Sequence, residues 1–217
     1  CLLFLTGLVA DLPKAVLAAI VLVAVKGLIN LPEIVRLSRI SLFEFHVALV
    51  ALGGVLVLGI LKGVLLAAVA SLLLLIRRAA SPQVAFLGRI PGTDRFSDRA
   101  RHPDNEPIPG VLAFRVEASL LYFNVDNVLK AVLDRVNAEP SGLRLVVADL
   151  SSTPTVDMAG ARMLFKLSED LAKRNITFRM VETHAQVRDM LRAVGLEESM
   201  GPVNRHTTLA DAIAEPG

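Results

Sequence analysis

From Cys1 to Ala80 the chain is almost unbroken apolar sequence, and no other feature constrains its fold as tightly. Four apolar stretches stand out: Cys1–Ala10, Lys14–Ile29, Phe43–Leu61 and Val64–Ile76. A helix rises about 1.5 Å per residue, and the hydrocarbon of a bilayer is roughly 30 Å thick. On that rise Phe43–Leu61 reaches about 28 Å and spans, whereas Lys14–Ile29 reaches about 24 Å and needs local thinning or interfacial flanks. Val64–Ile76 is long enough only when counted from Leu61 to Arg78, with Lys62 extending its ammonium to the surface. The spacing predicts a tight helical hairpin turning at Lys62-Gly63. Runs such as "VALGGVLVLGI" are apolar all round, unlike the one-sided stripe of a soluble amphipathic helix. A membrane segment of three to four helices outweighs a buried soluble core.

Charge divides the chain in two. Residues 1–80 carry seven basic and three acidic side chains; residues 81–217 carry sixteen and eighteen. Arg36 and Arg39 lie between the second and third stretches and Arg77 and Arg78 follow the fourth, which puts both places on the cytoplasmic side by the positive-inside rule. Everything after Arg78 is then cytosolic. The Gly59-x-x-x-Gly63 spacing fits either close helix packing or ordinary membrane composition. Glu44 and His46 read as interfacial. The chain starts at Cys1 inside an apolar run without a basic n-region or cleavage site, as a fragment of a longer protein would.

The second part has neither a basic stripe nor an aromatic ladder, which argues against nucleic acid. One cysteine excludes an internal disulfide framework and a cysteine-based zinc site, and the four histidines have no metal-ligand spacing. Strands are expected at 84–90, 111–116, 119–123, 143–150 and 176–181, with a charged loop at 94–109. Helices are expected after Asn124 as a cap, from Asp157 to about Arg174, after a Thr183/Gln186 capping box, and near 208–214, with Gly195 as a stop. Alternating strands and helices imply an α/β domain, a mixed sheet with helices packed on it. The organisation expected is 1–80 membrane helices, 81–110 linker and first strand of the domain, and 111–217 the domain proper.

"DLSSTPTVDMAGARML", Asp149 to Leu164, closes the central strand and opens a helix at Asp157. It resembles the signature loop of STAS domains, in which an Asp precedes Ser-Ser-Gly or Ser-Thr-Gly at a helix start. Together with "SLLLLIRRAASPQVAFLGRIPGT" and "LPKAVLAAIVLVAVKGLI", it resembles the SulP family of anion permeases, in the family's order and over essentially the whole chain. That resemblance implies the last three of fourteen membrane segments, plus the tail of the one before, all in the scaffold or gate part. Such folds use inverted repeats. The half-helices that hold the anion would then lie upstream of this chain.

The chain departs from the pattern at the loop. In anti-anti-sigma factors the first Ser after the Asp is phosphorylated; Met158 stands there, followed by Ala159, and neither accepts a phosphate. Asp149, Ser151, Asp157, Met158 and Gly160 are therefore expected to form a fold-defining turn or a partner-docking surface. Arg162 and Lys166, one turn apart, are candidate weak anion or nucleotide contacts, with solvated helix charges as the simpler account. Phosphate-cradling motifs are absent, and no catalytic, cofactor or metal residue is expected. The resemblance implies secondary active transport of a small inorganic anion, sulfate or bicarbonate, by an integral protein of the plasma or inner membrane. It also implies a homodimer and a cytosolic protein partner for the STAS domain. The alternative is a membrane-anchored STAS binding module that transports nothing.

Overall fold

The computed structural model describes residues 14–26, 30–139, 142–195 and 207–214. Close contacts divide the chain into two compact units at Leu74/Leu75.

Apart from Asn30, Ser41 and Gly59, the described residues of the first unit are helical: α1 Lys14–Lys26, α2 Leu31–Ile40, α3 Leu42–Leu58 and the start of α4, Ile60–Ala80. At 21 residues α4 is long and apolar enough to cross a membrane; α1 and α3 are apolar but shorter. The expected stretch at Cys1–Ala10 lies outside the described residues. Two expectations are corrected here. Lys62-Gly63 is not a turn, because α4 runs straight through it. The break falls at Gly59, whose φ of 83° is open to glycine and costly for other residues. The segment between the second and third apolar stretches is not a loop either, since Pro32 near its start and the Asn30 side chain on Glu33 N nucleate α2.

Of the Gly59-x-x-x-Gly63 pair only Gly63 packs closely, since a Cβ on Gly59 would meet nothing within 4 Å. Gly54 faces Gly63 across the break, and a Cβ on Gly63 would collide with the Val55 backbone. Elsewhere the unit presents bare hydrocarbon: Leu56, Val57, Ile60 and Leu61 are 77–85% exposed. Among the described residues between 84 and 214, by contrast, the large apolar side chains that stand out are Tyr122 and Met158. Such a contiguous apolar surface is stable against lipid or protein and not against water.

The second unit is built on a five-stranded sheet in the order β2-β1-β3-β4-β5, with β1 Val84–Arg89, β2 Phe96–Asp98, β3 Val111–Val116, β4 Leu145–Asp149 and β5 Thr177–Val181. β1 is antiparallel to β2 and β3, while β3, β4 and β5 are parallel. The helices are α5 Val125–Ala138, α6 Met158–Ala172, α7 Ala185–Ala193 and α8 Leu209–Ala214. The pleat sends Leu112, Phe114, Val116, Val146 and Ala148 to one face, where α5, α6 and α7 cover them with Val128, Val132, Leu164, Leu167 and Leu191. Val111, Ala113, Leu145 and Val147 point to the other, where α8 brings Leu209 and Ala212. Each fully buried Val or Leu contributes about 1.5–3 kcal/mol, so the first face dominates.

Other boundaries differ from the sequence reading. β2 lies inside the expected charged loop. Residues 119–123 form a turn with a single bridge, Leu120 to Val156, rather than a strand. Asn124 does not cap α5; it accepts from Leu121 N and donates to the Ser119 carbonyl, holding that turn closed. α7 starts after His184 without a side-chain cap, so the Thr183/Gln186 capping box does not form. The reciprocal pair occurs instead at α8, where Thr208 and Asp211 exchange bonds of 2.6–3.2 Å. Those bonds from the Thr208 hydroxyl and amide hold the Asp211 carboxyl below its ordinary range.

Gly63→Ala is expected to cost about 1–3 kcal/mol through overpacking. Gly53→Ala meets nothing within 4 Å and should be neutral or better. Thermal unfolding in lipid nanodiscs checks both.

Candidate functional site: the loop after the central strand

Arg115 and Asp149 face each other in the register of β3 and β4, at the carboxyl ends of the parallel strands. Arg115 donates from Nε at 2.9 Å and from Nη2 at 2.6 Å, both to Asp149 Oδ2. Asp149 Oδ1 accepts from Ser151 N at 2.9 Å. The carboxylate is only 3% exposed, so its charge is tolerable because all of these donors meet it.

From there the loop is stitched to the segment before α5. Thr153 is buried and donates its hydroxyl to the Val116 carbonyl at 3.2 Å. Thr155 Oγ1 donates to Ser119 Oγ at 2.8 Å, Leu120 N to Thr155 O, and Asp157 N to Leu120 O. Asp157 stands at the N-cap of α6. Its Oδ1 accepts from Gly160 N and its Oδ2 from Tyr122 N, each at 2.8 Å. The carboxylate thus caps the helix and ties it to the 119–124 turn, where it also meets the positive end of the helix dipole. Gly160 sits under this knot, since a Cβ there would lie 2.6 Å from the Leu120 carbonyl oxygen.

The five loop residues do not share one site. Asp149 and Ser151 border a polar cleft of about 520 Å³ on the α8 face, with Arg95, Phe96, Arg115 and Glu182. Asp157, Met158 and Arg162 border a second groove of about 480 Å³ with Tyr122 and Ala159. Gly160 is buried beneath it. Arg162 and Lys166 are both exposed on α6, and only Arg162 reaches the groove.

Both carboxylates are consumed by guanidinium or backbone donors, and Met158 occupies the helix start. The hydroxyl that would accept a phosphate at the helix start is thus replaced by a thioether at Met158. What the knot does offer is a rigid platform. Tyr122 and Met158, 75% and 54% exposed, stand on it beside the Arg162 guanidinium. Sequence reasoning missed Arg115 and Tyr122. An arginine inside an apolar strand and the chain's single tyrosine were the available signals.

A sheet of this order, with a capped helix after its central strand and apolar helices ahead of it, defines a membrane protein with an appended STAS-type domain. Comparison with known proteins gives the family. The STAS domain profile matches residues 102–212, and the profile of the sulfate permease family matches residues 1–51. The chain belongs to the sulfate permease family and carries its STAS domain. It is 33% identical over 212 residues to a protein named "Probable sulfate transporter" in Mycobacterium tuberculosis, covering 98% of this chain and 38% of that protein. It is 29% identical to High affinity sulfate transporter 2 of Stylosanthes hamata, over all of this chain and 34% of that one. The chain thus spans little more than a third of these relatives. Among solved structures, the murine Solute Carrier 26 family member A9 anion transporter in its inward-facing state has a TM-score of 0.70 at 25% identity, covering 87% of this chain and 30% of that one. A second structure, of SLC26A9, has a TM-score of 0.75 at 21% identity, covers 93% of this chain and 34% of that one, and shares the fold.

Asp157→Ala removes the acceptor of two amides and is expected to cost about 0.5–2 kcal/mol or somewhat more. Faster hydrogen exchange should be confined to the first turn of α6 and to Tyr122. Met158→Ala, which removes no acceptor, should leave that exchange unchanged.

Proposed function

We propose that this chain is the C-terminal part of a secondary active transporter of small inorganic anions, with sulfate as the principal substrate. The observation that carries the reading is the order of parts in one chain: a sulfate permease segment followed by a STAS domain, paired with a sulfate transporter relative over 98% of the length. In this reading the helices before about residue 80 are scaffold, residues 81–110 are linker and first strand, and residues 111–217 are the regulatory domain. The arginines at 36, 39, 77 and 78 support a cytosolic side for that domain by the positive-inside rule. The anion is held mainly by parts outside this chain, and the STAS domain supports a homodimer.

The groove at Tyr122 and Met158 is where a cytosolic protein partner docks, and Arg162 with Lys166 favours an acidic segment of that partner. Stitching the loop to the 119–124 turn keeps the platform rigid, which lowers the entropic cost of binding. Chemistry on the anion is not part of this role, and the named relatives are transporters rather than enzymes.

The whole protein encoded by the reading frame should restore sulfate uptake to cells that lack sulfate transport. Loss of residues 81–217 should reduce that uptake. Absence of uptake across sulfate, bicarbonate and other small anions, with the protein present in the membrane, would contradict transport and favour a membrane-anchored STAS module.

A further inference from the structure

Helix α2 is used by nothing described so far. At 3.6 residues per turn, its sequence LPEIVRLSRI sets Ile34, Val35, Leu37 and Ser38 on one side and Glu33, Arg36 and Arg39 on the other. Ile34 and Val35 are exposed, at 43% and 51%. Ser38, the polar residue within the apolar arc, donates its hydroxyl to the Val35 carbonyl at 2.8 Å. A hydrocarbon neighbour requires that kind of internal satisfaction.

The flanking chain fixes where such a helix can lie. Ser41 alone joins it to α3: its N–H closes α2 on the Leu37 carbonyl, and its hydroxyl opens α3 by accepting from Glu44 N. The apolar α1 ends at Lys26, only a few residues before Asn30 begins α2. With an apolar helix on each side, α2 stays at the membrane boundary. On its polar side Arg36 meets Glu33 only at 3.9 Å, with both side chains more than 60% exposed. A contact that loose is worth little, so the guanidinium remains able to engage another anion.

We propose that α2 lies in the plane of the membrane interface. Its Ile34–Val35–Leu37 side enters the acyl boundary, and Arg36 and Arg39 bind the phosphates of anionic phospholipid headgroups. The balance of an apolar arc and a basic arc is that of an interfacial helix, and guanidinium groups suit phosphate oxygens through paired N–H donors. The proposal rests on the membrane reading of the apolar segment.

The test uses the whole encoded protein in nanodiscs, in a background with Cys1 and every other native cysteine replaced by Ser, with single nitroxide-labelled cysteines at Val57, Val35 or Glu33. Val57 is the control for membrane insertion. Val57 and Val35 should collide with oxygen more than with a water-soluble nickel chelate, and Glu33 should show the reverse. A bimane on a cysteine at Ile40 should be quenched more by headgroup-labelled phosphatidylglycerol than by the equivalent phosphatidylcholine. Arg36→Gln with Arg39→Gln should lower that preference by about fivefold per arginine, and Arg36→Lys with Arg39→Lys should keep most of it. A lipid-facing Val57 with Val35 as chelate-accessible as Glu33, or equal quenching by the two lipids, would overturn the proposal. A chelate-accessible Val57 would overturn the membrane reading and the proposal with it.

Discussion

A backbone amide without a partner in hydrocarbon costs several kcal/mol, and that penalty shapes the first eighty residues. The described part of that region is helix, and its interruptions are closed by hydrogen bonds. At Gly59 the chain breaks α3 from α4, yet Gly59 N still reaches the Val55 carbonyl and Gly63 N the Gly59 carbonyl. At Ser41 one residue ends one helix and starts the next. Ser38 and His46 fold their polar atoms back onto their own helices. Glycine then does what a larger residue could not, letting Gly54 and Gly63 meet backbone to backbone.

The same accounting governs the loop after the central strand, in a different medium. There the donors and acceptors of residues 149–160 are matched against Arg115, Val116, Ser119, Leu120 and Tyr122. Asp149 and Asp157 act as the fasteners of this loop. The knot leaves two surfaces beside it: a polar cleft beside Arg115 on one face of the domain and the Tyr122–Met158 groove beside α6. At the helix start Met158 presents apolar area, 54% exposed.

The period of the apolar residues made the sheet-and-helix domain and its central strands legible in the sequence, because β3, β4 and α6 are buried and their patterns are strong. Misreadings came where pairing is decided by distant residues. β2 is three residues inside a charged segment, and only its ladder to Leu87, Gly88 and Arg89 makes it a strand. Residues 119–123 have strand-like composition, but Asn124 and Asp157 claim their backbone groups for a turn. α2 was hidden by its low apolar content and its proline, although its cap was visible. The break between α3 and α4 was expected at Lys62-Gly63, which looks like a turn, whereas the left-handed residue is Gly59. The loop's motif was plain, but the pairing of Arg115 with Asp149 spans 34 positions and has no local signal.

The central claim is an apolar helical segment lying in the bilayer with the STAS domain on its inner side, and labelling in intact cells tests it most directly. A cysteine at the exposed Asp104 position, introduced with Cys1 and every other native cysteine replaced by Ser, is treated with a membrane-impermeant maleimide before and after permeabilisation. The account predicts labelling only after permeabilisation, with the protein retained in the membrane through alkaline washing. Labelling of intact cells, or release of the protein by the wash, would contradict it.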